Sequence, residues 1–582
     1  MIIKDVTPED AINKKDTKRK FNPNFLYLIL ALAIFVYYYL TLPPIHYASY
    51  QTWFFLLLII AGIFAIELIK DSNQWFKQIK NNPNQVTEIK FGKLPKKYRL
   101  FYWPIIIVLL VGLVGKFIFS PFFMAKDYGQ MITPINKDFE TTFPEVNIDN
   151  VPLVDRDTAV RLGNRYLGAL TELVSQFEVS DEYTQINIEA EPYRVTPLKY
   201  AGLFKWLNNF SEGIPHYLQV DNVTGKVEVK TPEKPIRYSY SDHFGRNISR
   251  HLRFNYPFSI FESPDFEIDD EGNPYYIATS YGRNFFLNEP EPNGLIVVNA
   301  MTGEHQKYSM DEIPSWVDRV YSADLIMHQL DQNGKFKNGF WNSVFAKEGV
   351  TETSKGYNYL PMNDDIYLYT GITSVVSDES NIGFVLVNLR TKEATMYNLS
   401  AAEEFSAMAS AEGSVQEKGY IATFPLLINL QGNPMYILTL KDSSGLIKNY
   451  SLVDVQDYQK VYIASNMTQL IQKYGEDNPV VLEAINEDTL EKVTGQVEKI
   501  QAVIKEGETF YYFMLDGNVY QVPAKLNDYL PFVEEGQTVT LKLDNLSNIH
   551  SVDLTEIFGD KAAQEEVIQT SEETDPLLDN VE

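Results

Sequence analysis

Three long apolar runs stand in the first fifth of the chain, at Phe25 to Leu42, Trp53 to Ile69 and Tyr102 to Phe119. Each approaches the ~20 residues an α-helix needs to cross a hydrocarbon core, and each is nearly free of charge, so the pattern predicts three transmembrane helices. Tyr37, Tyr38, Tyr39, Trp53, Tyr102 and Trp103 fall near the ends of these runs, where amphipathic rings favour the headgroup zone. The flanks set an orientation. Lys4, Lys14, Lys15, Lys18, Arg19 and Lys20 precede the first run; Lys70, Lys77, Lys80, Lys90, Lys93, Lys96, Lys97 and Arg99 lie between the second and third; Pro43 to Thr52 holds no Lys or Arg. The positive-inside rule then puts the N-terminus in the cytoplasm and everything after Ser120 outside. Glu67 and Lys116 are the charges inside the runs. Their place near helix ends fits side chains that reach the interface, with an ion path as the alternative.

Beyond Ser120 the periodicity changes. A linker rich in Pro, Asn and Asp covers residues 121–150, after which Asp157 is placed to cap a helix running to about Phe177, with Leu162, Tyr166, Leu170, Leu173, Val174 and Phe177 on one face. Tyr217 to Val229 alternates around Asp221-Asn222-Val223-Thr224-Gly225, which predicts a hairpin with Gly225 at positive φ. The same phrase recurs as VVNAMTGEHQKYSM (Val297 to Met310) and LVNLRTKEATMYNL (Leu386 to Leu399), and a second pair, GNPYYIAT (Gly272 to Thr279) and GNPMYILT (Gly432 to Thr439), recurs as well. Such recurrence predicts a repeated supersecondary unit. Between Val493 and Leu554 five alternating stretches separated by Gly turns predict a small OB-like β-barrel. Residues 559–582, with eight acids against Lys561 from Asp560 onward, predict a disordered tail.

Charge narrows the function. Through Met124 there are 15 Lys/Arg against 7 Asp/Glu, leaving 35 against 70 in the remainder. So acidic an exterior repels polyanions and excludes a nucleic-acid role. The absence of Cys excludes disulfides, thiolate metal sites and thiol nucleophiles. The seven His (His46, His216, His243, His251, His305, His328, His550) form no metal-ligand spacing, and no Gly-x-Ser-x-Gly elbow, P-loop or dinucleotide fingerprint is present. No catalytic residue, metal ligand or cofactor site is expected on these grounds. One cluster, Ser241 to Phe254, concentrates His243, Arg246, Arg250, His251 and Arg253. On a helix Arg246, Arg250 and Arg253 align at i, i+4 and i+7 as a forked site for an anion or acidic partner; the alternative is a charged face paired with the domain's own acids. Asp364, Asp365, Asp378 and Glu379 could hold Ca²⁺ if they converge, but their spacing is not that of an EF-hand and solvated loops explain them better.

The opening VDRDTAVRLGNRYLG followed by strands with Asp/Asn-x-x-Thr-Gly hairpins resembles the peptidase-propeptide (PepSY-like) module of exported bacterial proteins. The region from Val151 to Tyr474 resembles membrane-anchored proteins of Gram-positive bacteria that carry it, departing where Lys392 replaces the turn glycine. The resemblance implies modulation of peptidases or an envelope binding role. The expected fold is therefore α+β: residues 1–24 cytoplasmic, 25–120 three transmembrane helices, 121–150 linker, 151–475 repeated helix-on-antiparallel-sheet units, 476–558 the OB-like barrel, and 559–582 the tail. The expected function is a non-enzymatic extracytoplasmic scaffold, sensor or regulator that binds other envelope proteins at the cell membrane, with self-association left open. A membrane-bound envelope hydrolase and a transporter or channel accessory subunit are the alternatives.

Overall fold

The computed structural model describes residues 25–81, 99–143, 151–188, 191–286, 288–362, 364–375, 377–430, 432–478, 491–505, 508–543 and 549–559. The expected cytoplasmic segment, most of the Lys-rich loop after the second apolar run, and the acidic tail lie outside them.

The apolar runs form helices α1 (Phe25–Thr41), α2 (Tyr50–Asn81) and α3 (Arg99–Ile118), the last followed by α4 (Pro121–Gly129). The expectation of three spans needs correction. Among the described residues one helix, over Tyr50–Asp71, is long and apolar enough to cross a membrane. Helix α1 is too short, and Ile105–Ile118 reaches that length only together with Pro121–Gly129, across a 57° bend. Run length alone missed both points, because Leu42 turns the chain at positive φ and Pro121 starts a new axis. Glu67 accepts from Tyr27 Oη at 2.5 Å and from Lys70 Nζ at 3.2 Å, which ties α2 to α1.

Part of the segment expected as a linker is built into the body. Strand β1 (Ile135–Lys137) pairs in parallel with a later strand, and the short helix α5 (Phe139–Thr142) carries Phe139, which is buried with Phe143. Helix α6 spans Arg156–Gly168 and α7 Thr171–Val174, so the expected single helix to Phe177 is broken near Ala169. Its cap is Asp155, whose carboxylate accepts the Thr158 N–H at 2.9 Å, and not Asp157.

Four sheets follow with one strand order. The first holds β2 (Phe177–Val179), β3 (Thr184–Ile188), β4 (Glu191–Tyr200), β5 (Tyr217–Asp221) and β6 (Val227–Lys230), with α8 (Leu203–Asn209) before β5. After α9 (Ile248–Asn255) come β7 (Ile260–Phe261), β8 (Asp265–Ile268), β9 (Pro274–Asn284), β10 (Glu289–Asn299) and β11 (His305–Tyr308). After α10 (Ala323–Phe336) come β12 (Thr351–Thr353), β13 (Asn358–Met362), β14 (Asp365–Ser374), β15 (Ser377–Asn388) and β16 (Ala394–Tyr397), the partner of β1, with β17 (Ala401–Ala402) added to β15. After α11 (Glu404–Gly413) come β18 (Ile421–Ala422), β19 (Leu426–Leu430), β20 (Asn433–Lys441), β21 (Ile447–Asp454) and β22 (Val461–Ala464), then α12 (Met467–Asp477). In every sheet the third strand takes the first two along one edge and the fourth along the other, and the fifth pairs outside the fourth.

What recurs is the sheet and its turns. A helix stacked on each sheet is not shown: α6 and α11 lie against strands of their sheets, whereas α10 packs on α4 and the edge strand β12. The expected helix-on-sheet repeat is thereby corrected to a mixed helix and sheet architecture. The C-terminal stretches form five strands, β23 (Glu491–Lys505), β24 (Glu508–Leu515), β25 (Asn518–Pro523), β26 (Thr538–Leu543) and β27 (Ile549–Asp553), in the order β25-β24-β23-β26-β27. Among the described residues no hydrogen-bonded ladder joins the outer strands β25 and β27, although the two lie in contact.

Successive sheets share cores. Leu218 and Ile296 belong to one cluster that joins the first two sheets, Leu295 and Val385 to one that joins the second and third, and Phe384 and Ile437 to one that joins the third and fourth. Lys441 on β20 meets the Asp155 carboxylate at 2.6 Å, bringing the fourth sheet back to the first. The four sheets thus surround a common centre.

Candidate functional site

That centre is a cavity of about 750 Å³, within the range that small-ligand sites occupy. All four sheets line it: Thr184 and Arg194 from the first, Asp265 and Phe266 from the second, Asn358 and Tyr359 from the third, and Ile437 from the fourth. Asp155, Glu182, Tyr240, Arg319 and Tyr357 complete the wall from connecting segments.

Two arginines dominate its chemistry. Arg194 is 7% exposed and its hydrogen-bond partners are neutral, the Val154 carbonyl at 3.2 Å and Gln185 Oε1 at 2.8 Å. Burial pulls its guanidinium down to about 10. Arg319 reaches the Tyr359 hydroxyl at 3.4 Å and has a buried Nε with no acceptor; Tyr359 beside it and the more distant Asp265 and Glu267 hold its charge in place. Neither arginine forms an ion pair with a carboxylate within 4 Å among the described residues. This leaves two guanidiniums at the cavity wall without a direct carboxylate partner, Arg194 buried and Arg319 partly exposed.

The carboxylates around it are differently occupied. Asp155 is spent on Lys441 and on capping α6. Burial raises Glu182 to about 7, so near neutral pH it exists in both protonation states. Behind the wall lies an acidic pair: Asp318 Oδ2 accepts the Asn187 N–H at 2.6 Å, and Glu267 Oε2 accepts the Asp318 N–H at 3.3 Å. Desolvation raises both carboxyls above their ordinary range.

The cluster predicted from the sequence does not assemble. Helix α9 begins only at Ile248, because Phe244 sits at positive φ and the Asn247 side chain caps the next turn by accepting from Arg250 N at 3.3 Å. Arg246 donates to the Phe210 carbonyl, Arg250 lies over the Tyr39 ring at 4.7 Å, and Arg253, 5% exposed, donates to the Ser259 carbonyl at 2.6 Å and covers Phe261. His243 packs edge-on against Trp206, and His251 bonds the Gly303 carbonyl at 2.9 Å. These five groups serve backbone carbonyls and rings, and none of them forms an ion pair with an acid among the described residues. Asp365 is bound by Arg390 at 2.6 Å and Asn388 at 2.8 Å. The side chains of Asp378 and Glu379 lie outside the described set, and no group of three or more His, Asp or Glu that could hold a metal occurs among the described residues. Sequence reading missed Arg194 and Arg319 because each stands alone in its segment; the available signal at Arg194 was an arginine inside a strand-like stretch.

No family model matches the chain. No curated protein matches it either. Among solved structures, two variants of the Synechocystis apocarotenoid oxygenase, a tryptophan-to-alanine and a glutamate-to-aspartate form, align at 11% identity over 63% of this chain, with TM-scores of 0.13 and 0.12. The chain matches 59% of the length of those proteins. Agreement at that level assigns neither fold nor activity.

Proposed function

We propose that this chain is a membrane-anchored, non-enzymatic binding protein of the bacterial cell envelope, a scaffold, sensor or regulator whose partner or ligand places an acidic group in the central cavity. The observation that carries the reading is that Arg194, buried, and Arg319, partly exposed with a buried Nε, meet at one cavity without a carboxylate ion-pair partner among the described residues. An unpaired buried guanidinium is costly, and an incoming carboxylate or phosphate supplies the missing acceptors. The Tyr-rich wall, with Tyr240, Tyr357 and Tyr359, offers apolar area with polar tips, which suits a peptide-like or aromatic body behind the acidic group. In this reading the membrane-length helix α2 anchors the protein and the acidic body is extracytoplasmic.

A photo-reactive phenylalanine analogue at Tyr357 in the full chain, irradiated in intact membranes, tests this. The expected result is an adduct that disappears when Arg319→Met is combined with it. The reading fails if no adduct forms above that seen from the exposed position Glu233. A second reading rests on Glu182: a cavity carboxyl at about 7 beside Asp265 is suited to general acid work in an envelope hydrolase. Turnover of envelope material that Glu182→Gln abolishes would establish that reading instead.

A further inference from the structure

The end of the apolar N-terminal region does not stop at the body; it runs on into an exposed aromatic surface. Phe117, on the outer side of α3, packs edge-on to Phe123 at 5.3 Å, and Phe123 meets Phe122 at 4.7 Å. Phe122 in turn touches Phe340 at 5.1 Å and Trp341 at 5.5 Å, and Trp341 stacks on Phe345 at 5.7 Å. Trp341 and Phe345 are 60% and 74% exposed, Phe123 is 56% exposed, and Val344 beside them is open too.

Two features make this a surface awaiting lipid. The aromatic series is continuous with α3, half of the bent apolar pair that follows the membrane-length helix α2, so whatever solvent covers Phe117 also reaches Phe123 and Trp341. The segment is also locally basic in an acidic body, with Lys335, Lys337 and Lys347 and no acid between the first and last of them. Aromatic rings flanked by lysines match the polar–apolar boundary of a bilayer with anionic headgroups. The junction is stiff enough to hold the surface in register: Asn333 Nδ2 on α10 donates to the Gly129 carbonyl at 2.6 Å, and a Cβ at Gly129 would approach the Lys337 nitrogen to 2.9 Å.

We propose that the loop Phe340–Ala346, together with Phe122 and Phe123, inserts into the interfacial zone of the bilayer that holds the apolar helices. The body then rests on the membrane at a fixed orientation and does not swing on a tether. This inference rests on the membrane-anchored reading. Because the chain has no cysteine, single labels report cleanly. The full chain carrying Phe345→Cys, Leu57→Cys (on α2) or Glu233→Cys is spin-labelled and reconstituted into vesicles of phosphatidylcholine and phosphatidylglycerol. Collision rates with oxygen and with a water-soluble nickel chelate are then measured. The expected result is oxygen-dominated relaxation at positions 345 and 57 and nickel-dominated relaxation at 233. Nickel-dominated relaxation at 345 with oxygen-dominated relaxation at 57 overturns the inserted loop and leaves the anchor intact. Nickel-dominated relaxation at both overturns the anchor and the loop together.

Discussion

At the scale of single residues, the recurring turn has one mechanism. Asp221, Asn299 and Asn388 each accept two backbone N–H groups with Oδ1, from residues 223 and 224, 301 and 302, and 390 and 391. The following Thr hydroxyl accepts a third, and the next residue turns at positive φ: Gly225, Gly303 and Lys392. The spacing of Asx, Thr and Gly in the sequence was therefore a direct record of hydrogen bonds. Lys392 departs from it and accepts a strained backbone of about 1–2 kcal/mol, while its ammonium reaches Glu291 at 2.8 Å. Gly225→Ala is expected to cost about 1–2 kcal/mol from φ alone. Gly303→Ala is expected to cost more, because the new Cβ would come within 2.2 Å of the Tyr238 Cζ. Denaturant titration of the two variants checks the order, and equal losses contradict it.

At the scale of elements, polar groups join what the apolar pattern leaves unspecified. Glu404, at the start of α11, is fully buried; its carboxylate accepts from Asn381 at 3.0 Å and Tyr369 at 3.3 Å, and Tyr436 closes the network through Asn381. Sheets three and four meet there. Glu404→Ala leaves these donors unsatisfied and is expected to destabilise by roughly 1–3 kcal/mol, with Glu404→Gln losing less; thermal unfolding of both reads it. The pair Glu267 and Asp318 makes the sheets sensitive to pH. Burial holds both carboxyls above their unfolded values, so the folded state binds protons more tightly. Their contribution is full below the ordinary carboxylate range and is lost as pH rises through the raised values. Stability is expected to fall as pH rises from the ordinary carboxylate range toward about 8, the value to which burial pushes Asp318, and Asp318→Asn should flatten that fall. None of these contacts was legible in the sequence, since Glu404, Glu267 and Asp318 look like any other acids until strands distant in the chain enclose them.

At the scale of the molecule, hydrophobic pattern located the apolar helices, the hairpins and the C-terminal strands, but not how they associate. Run length predicted three spans, whereas the Pro121 bend and the shortness of α1 leave one helix of membrane length among the described residues. Repeat phrases marked turns and could not say that four sheets gather around a centre, because closure depends on single contacts such as Lys441 with Asp155. The cavity arginines were invisible for the same reason: 125 residues separate Arg194 from Arg319. The proposed role requires those two side chains to meet an acidic group. The direct measurement is mass spectrometry of small molecules released on denaturing the full chain after gentle purification from its own membranes, beside Arg319→Met prepared identically. An acidic compound near one equivalent, retained by the natural chain and lost from the variant, is the predicted result; indistinguishable eluates from two folded proteins would contradict it.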